Sequence, residues 1–250
     1  MKGVILAGGT GSRLDPLTRI TNKHLLPIYD RPMVEYAIEA LVRAGVVEIM
    51  VVTGGTHAGE FLRLLGNGEA YGCDRLLYAY QEKPGGIAEA LGLAAHFVEL
   101  EHCVVMLADN VFERSLAPTV ERFRGQQYGG RVLLAREPSR EHLRHLGVPE
   151  LDGDGRLVRV VEKPDEPPSE YAVTGVYFYD GAVWDVLPSL EPSGRGELEI
   201  SDVNRYYALH GRLDACRVDG WWEDAGKHWQ HLGDIGRRIA DTGANKAEPA

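Results

Sequence analysis

The chain has 250 residues, 44% hydrophobic and 26% charged, ordinary for a globular protein and enough for one large α/β domain or two small ones. A formal net charge of −10 argues against general nucleic-acid or membrane-surface binding, so a polyanionic ligand must be met by cations gathered locally. Cys73, Cys103 and Cys216 lack metal or redox spacing, no apolar run reaches membrane-spanning length, and a strand begins almost at Met1; the expectation is a cytoplasmic protein with no leader.

Val4 to Leu6, short and β-branched, reads as a buried strand that breaks into Ala7-Gly8-Gly9-Thr10-Gly11-Ser12-Arg13-Leu14. Glycines placed directly after a strand allow φ > 0 and bring backbone N–H groups close to a ligand. Consecutive N–H groups form an anion-binding concavity, and Arg13 adds a fixed positive charge beside it. The pattern points to phosphate, with a ligand-free connection as the alternative. It is not a Walker A loop, because no Gly-Lys-Ser/Thr closes it, nor a dinucleotide fingerprint, because Leu14 takes the place of the third glycine.

Lys23 is either a second cation for the same phosphates or a solvated surface lysine. Pro32 opens a helix as a first-turn proline, with Met33, Tyr36, Ala37 and Leu41 on one face and Gly45 as its stop. Val47 to Thr53 is a strand, Gly59 to Leu65 a short helix and Leu76 to Tyr80 a strand, an alternation that implies a parallel sheet with right-handed crossovers. The third strand runs into Gln81 and then Gly85-Gly86-Ile87, the strand-to-helix position where doubly wound sheets bind ligands. The Gln81 amide offers a donor and an acceptor suited to a base edge; a polar turn is the other reading. Cys103 to Ala108 is a further strand that ends in Asp109, a frequent position for Mg²⁺, although Asp109 could instead cap the next helix. Ser115 is the better cap for that helix, Leu116 to Gln127, which Arg131 to Arg136 follows as a strand.

In the second half, a turn at Asp152 to Gly155 predicts a hairpin, and Leu157 to Val161 is a strand ending in Glu162-Lys163-Pro164. Ala172 to Tyr179 is a strand, Ala182 to Leu187 a short helix, and Ser201 a helix N-cap. Leu213 to Val218 is a strand, Trp221 to Gly226 a loop, and the last helix carries Trp229, Leu232, Ile235 and Ile239 inward. With no repeat and no linker, the chain reads as α/β: one Rossmann-like domain over residues 1–242, a mostly parallel central sheet flanked by helices, a smaller β-rich subregion, and a flexible tail over 243–250.

Gly8 to Leu14, Asn22-Lys23-His24-Leu25-Leu26-Pro27 and Ala108-Asp109-Asn110 resemble the sugar-1-phosphate nucleotidylyltransferases. Glu162-Lys163-Pro164, Tyr171 to Asp180 and Arg195 to Asn204 narrow the resemblance to short-form glucose-1-phosphate thymidylyltransferases, similar to a spore-coat polysaccharide type, and it covers the chain from Met1 to the last helix. The resemblance implies in-line attack of a sugar-1-phosphate oxygen on the α-phosphorus of a nucleoside triphosphate. With dTTP and glucose 1-phosphate the products are dTDP-glucose and pyrophosphate. Such a reaction needs no protein nucleophile, only positioning and charge neutralisation.

Carried over residue by residue, the resemblance gives the triphosphate to Leu6, Gly8, Gly9, Gly11 and Ser12. Arg13, Lys23 and Lys163 form the catalytic set: Arg13 on the leaving pyrophosphate, Lys23 on the reacting phosphates, Lys163 on the sugar phosphate. Asp109 and Asp224 hold Mg²⁺, Asp109 also contacting substrate, and Gln81 and Gly86 read the pyrimidine. Ile87, Gly147, Glu162, Val173 and Arg195 line the sugar-binding subregion, Glu162 accepting from sugar hydroxyls. Three positions depart from the pattern: Ala108 for glycine, Leu146 for an aromatic residue and Lys227 for threonine or serine. The resemblance further implies a homo-oligomer, and absence of the C-terminal helices that carry a regulatory nucleotide site in longer members. The alternatives are the same reaction with UTP or another sugar phosphate, and a non-catalytic nucleotide-sugar binding protein. The joint presence of Arg13, Lys23, Asp109 and Asp224 argues against the second.

Overall fold

The structure, a computed structural model, describes residues 1–126 and 128–247. β1 (Lys2–Ala7) leads through short 3₁₀ turns to a minimal hairpin of β2 (Pro27–Ile28) and β3 (Arg31–Pro32), which delivers the chain into α1 (Met33–Arg43). Strand and helix then alternate through β4 (Glu48–Gly54), α2 (Ala58–Leu65), β5 (Arg75–Gln81) and α3 (Ile87–Gly92). After α4 (Ala95–Val98) come β6 (Cys103–Leu107), a short β7 (Asn110–Phe112), α5 (Ala117–Arg124), β8 (Gly130–Arg136) and α6 (Arg140–Leu143). The second half adds the hairpin of β9 (Gly147–Leu151) and β10 (Leu157–Glu162), then β11 (Tyr171–Tyr179) and α7 (Val183–Val186). It closes with α8 (Ile200–Leu209), β12 (Leu213–Arg217), β13 (Trp222–Asp224) and α9 (His231–Thr242).

In β1, Val4 and Leu6 point into one core layer and Ile5 and Ala7 into the other, all of them buried. A strand buried on both faces belongs in the middle of a sheet covered on both sides. The seven-stranded sheet runs β12-β8-β11-β6-β1-β4-β5, parallel except that β11 opposes β6 and β8. The chain steps outward from β1 to β4 and β5, then returns to β6 on the other flank of β1. That reversal opens a crevice beyond the carboxyl end of β1, the position where open α/β sheets bind ligands. α3 and α8 cover one face through Ala88, Leu91, Val203 and Tyr207, while α1, α2 and α5 cover the other through Val34, Ala37, Phe61 and Val120. A third cluster joins Leu14 and Ile28 to Ile235 and Ile239, so α9 braces the segment that follows β1 from below. Each fully buried aliphatic side chain contributes about 1.5–3 kcal/mol relative to leaving it exposed.

Several local expectations are corrected. Pro32 stands at the cap position of α1 rather than in its first turn. α8 begins at Ile200 with extended Glu199 as its cap residue, and Ser201 lies buried inside the first turn, because buried Ile200 anchors the helix one residue earlier. Trp229 precedes α9, outside its helical register, and is 44% exposed rather than packed inward. α5 ends at Arg124, and the expected last residue of that helix, Gln127, lies outside the described residues. The tail expected over 243–250 is tied down as far as it is described: Asn245 is buried, its N–H donates to Phe112 O at 2.9 Å, and Ser115 N–H donates to Lys246 O at 2.8 Å. Residues 248–250 lie outside the described residues. Among the described residues no helix is long and apolar enough to cross a membrane, and all three cysteines are free thiols.

Candidate active site

Beyond β1 the backbone turns through left-handed conformations at Gly9 (φ +96°) and Gly11 (φ +64°). A Cβ at Gly11 would stand 2.9 Å from Thr18 Cγ2 and 3.0 Å from Lys23 Cβ, so only glycine lets the loop close on the segment carrying Lys23. Asn22 caps that segment, its Oδ1 accepting from His24 N–H at 2.9 Å. Leu6, Gly8, Gly9, Arg13 and Lys23 all line the crevice, and Gly11 and Ser12 lie in the same loop. Arg13 is exposed and pairs with no carboxylate among the described residues. Lys23 Nζ lies 2.5 Å from Asp109 Oδ2.

Asp109 lies two residues past β6, and Asp224 ends β13. β13 pairs with β7 so that Asp224 stands opposite Asn110, which brings two distant acids to one rim of the sheet. The point where Gly226 would carry a Cβ is 2.8 Å from Asp109 Oδ2, 3.1 Å from Asp224 Oδ1 and 3.4 Å from Lys23 Nζ. Glycine there leaves room for the convergence. Burial would raise the Asp109 carboxyl, but the Lys23 ammonium overrides it and holds Asp109 well below the usual carboxylate range. Among the described residues no group of three or more His, Cys, Asp or Glu side chains converges as a self-sufficient metal cage. Two convergent carboxylates are nevertheless the donor set Mg²⁺ takes from a protein when phosphates and water complete its octahedron, so the residues fit that ion.

A network that sequence reasoning missed supports Asp224 from behind. His142 is buried, with Nδ1 2.6 Å from Glu137 Oε2 and Nε2 3.7 Å from Asp224 Oδ2, the latter an electrostatic contact beyond hydrogen-bond length. Burial disfavours a charged His142, but Asp224 and Glu137 outweigh it and raise its pKa. Lys227, one of the departures from the family pattern, approaches the same Glu137 at 3.7 Å. Its only sequence signal was that departure.

The same crevice holds the remaining candidates. Gln81, Gly86 and Ile87 line it where β5 gives way to α3. Gly86 has φ +99°, and a Cβ there would stand 2.3 Å from the backbone oxygen of Leu198, so the position admits only glycine. Gly147, Glu162, Lys163, Val173 and Arg195 also line it, from the β9–β10 hairpin, β11 and the loop before α8. Burial pushes the Glu162 carboxyl up, against the pull of Lys163 at 3.5 Å. Lys163 holds φ +45°, unusual for a non-glycine residue and a mark of a constrained position. Arg195 is clamped by Glu199 at 2.7 Å and Glu197 at 3.5 Å. Wall residues not foreseen include Asn110, Tyr177, Ser201, Asn204 and Trp222. Asn110 Oδ1 accepts from Trp222 Nε1 at 2.6 Å and from Gly175 N–H at 2.8 Å, stitching the wall together. No local pattern marks such residues. The crevice has a volume of about 300 Å³, at the lower end of small-molecule sites.

Known proteins place this architecture. A family profile for nucleotidyl transferases matches residues 2–241. The low-salt glycan biosynthesis nucleotidyltransferase Agl11 of Haloferax volcanii is 40% identical over 91% of this chain, which spans 63% of that protein's length. A glucose-1-phosphate thymidylyltransferase of Actinoplanes sp. is 43% identical over 90% of this chain and 74% of its own. Among solved structures, a Bacillus anthracis protein provisionally assigned as a glucose-1-phosphate thymidylyltransferase, in complex with sucrose, superposes with a TM-score of 0.89 at 44% identity, covering 96% of both chains. A UDP-glucose pyrophosphorylase shares the fold at 24% identity and a TM-score of 0.81, covering 96% of this chain and 98% of its own. Matched by that family over residues 2–241 and 43% identical to a full-domain relative, the chain belongs to the nucleotidyl transferase family.

Proposed function

We propose that this chain transfers a nucleoside monophosphate, dTMP from dTTP, to glucose 1-phosphate, releasing pyrophosphate and forming dTDP-glucose. One observation carries the reading. A single crevice is lined by the cations Arg13, Lys23, Lys163 and Arg195 together with the acids Asp109, Asp224 and Glu162. Four cations around one common space, with two convergent carboxylates beside them, suit a reaction that joins two phosphates. Similarity to proteins named glucose-1-phosphate thymidylyltransferase supports the choice of substrates.

In this reading, Lys163 binds the sugar phosphate and Glu162 accepts from sugar hydroxyls, while Gln81 and Gly86 meet the base. A phosphate monoester is largely deprotonated near neutral pH, so its oxygen attacks without a general base. Lys23 orients the reacting phosphates, and unpaired Arg13 takes up the charge that develops on the departing pyrophosphate. Asp109 and Asp224 would hold Mg²⁺, which supplies charge neutralisation on the triphosphate when bound. His142 and Glu137 fix the Asp224 carboxylate from behind. The assembly in this reading is a homo-oligomer, which light scattering measures.

Pyrophosphate release across dTTP, UTP, dCTP and ATP, each paired with glucose, galactose and mannose 1-phosphates, tests the function. The expected maximum is dTTP with glucose 1-phosphate. Activity with UTP but not dTTP overturns the nucleotide assignment. Release with no pair, together with binding of a nucleotide sugar, returns the non-catalytic alternative.

A further inference from the structure

The amide of Gln81 is oriented by its surroundings, and that orientation limits which base the crevice accepts. One terminal atom of the side chain lies 2.7 Å from Glu89 Oε2 and 3.3 Å from the carbonyl oxygen of Gly86. A carboxylate and a carbonyl only accept, so the atom between them must be the –NH₂ group. Glutamine ends are usually ambiguous, but here two acceptors on the same atom decide the matter. Oε1 is therefore left on the opposite side, where a Cβ at Gly8 would stand 3.2 Å from it, and both residues line the crevice. Glu89 is the third residue of α3, and its carboxylate fills the space where a side chain at Gly85 would begin. Among the described residues no lysine or arginine forms an ion pair with Glu89, which leaves Gln81 as its hydrogen-bond partner.

We propose that Glu89 is a positioning residue that determines base specificity: it locks Gln81 with its carbonyl oxygen toward the crevice, so the base-reading edge offers an acceptor and selects pyrimidines carrying an imide N3–H over cytosine. The inference rests on Gln81 reading the base, as in the proposed function. Thymine and uracil present a donor at N3, whereas cytosine presents an acceptor there, and two facing acceptors leave both groups unsatisfied. A neutral amide at position 89 both donates and accepts. It would stabilise either orientation of Gln81 and leave only the longer bond to the Gly86 carbonyl to favour the original one, which weakens the lock.

The test compares kcat/KM for dTTP and dCTP, with calorimetric binding of dTDP and dCDP alongside, in the wild type and two variants. Glu89→Gln weakens the lock with almost no change of shape. Gly85→Ala leaves both side chains intact and drives the Glu89 carboxylate out of its place. Each variant is expected to lower the dTTP-to-dCTP ratio about tenfold or more, through KM rather than kcat, and to shift the diphosphate affinities in parallel. A ratio preserved in either folded variant overturns the role of Glu89 while leaving the thymidylyltransferase reading intact. A wild type that neither turns over nor binds any pyrimidine nucleotide overturns that reading and this one with it.

Discussion

The Nζ of Lys23 lies 2.5 Å from Oδ2 of Asp109, closing a gap of 86 residues with a part-buried ion pair at the crevice wall. Removing one partner leaves the other charge uncompensated where it is only partly hydrated. Lys23→Met and Asp109→Asn are each expected to lose about 3–5 kcal/mol of stability in urea unfolding, together with at least a hundredfold in kcat/KM for pyrophosphate release. The double variant should lose less than the sum of the two, with a coupling of more than about 1 kcal/mol. Simple additivity would mean that the pair does not act as a unit.

Arg13 is the converse case, exposed and without a carboxylate partner among the described residues. Arg13→Ala should leave the unfolding free energy within about 0.5 kcal/mol of the wild type. Its turnover number should nevertheless fall by about two to three orders of magnitude, the loss typical of deleting a charge-stabilising donor. Lost stability with intact turnover would place Arg13 in the scaffold instead.

His24 is buried beside Lys23, and burial first, then the neighbouring ammonium, pushes its pKa down from 6.5 to about 3. The folded protein keeps the imidazole neutral in the window where the unfolded chain takes up a proton near pH 6.5. Between those values the unfolded state binds more protons, so the stability linked to this group is complete above pH 6.5 and is lost as pH falls toward 3. The contribution approaches about 1.4 kcal/mol per pH unit. Urea unfolding from pH 6.5 to 4 should show a slope that His24→Gln reduces by about one proton; an unchanged slope would show that His24 is not the titrating group.

Asn245 ties the end of α9 to the rest of the domain. Its Nδ2 donates to Tyr36 O at 3.0 Å and to Glu39 Oε2 at 3.2 Å, and its own carbonyl accepts from Arg43 at 3.1 Å. Asn245→Ala removes these two side-chain hydrogen bonds while the Tyr36 carbonyl keeps its helical bond inside α1, and should cost about 0.5–1.5 kcal/mol. Hydrogen exchange read on α1 and α9 checks this. Protection matching the wild type would show the segment to be dispensable.

Much of the crevice was legible because its parts carry local signatures. The Gly8-Gly9-Thr10-Gly11 run, the Asp109 that follows an apolar strand, and Gln81 before two glycines each announce a strand end at the ligand face. Arg195 was legible as a cation, but its clamp on Glu199 was not. The short β7–β13 pairing left no periodic trace, since three residues are too few to show alternation. Asn245 read as part of a tail because it follows the last helix near the chain's end, where terminal residues are poorly ordered unless tied down.

By itself, the sequence determined the alternation of strands and helices, the doubly buried β1 and the glycine turn behind it. Each depends on spacing and backbone freedom within a few neighbouring residues. Only the tertiary structure decided that Asp224 faces Asp109, that His142 and Glu137 stand behind it, and that Glu89 turns the Gln81 amide. Those contacts depend on strand order, on the β7–β13 register and on where α3 and α6 pack. Side-chain chemistry constrains such pairings only after the chain has closed its long loops and brought the partners within hydrogen-bonding distance.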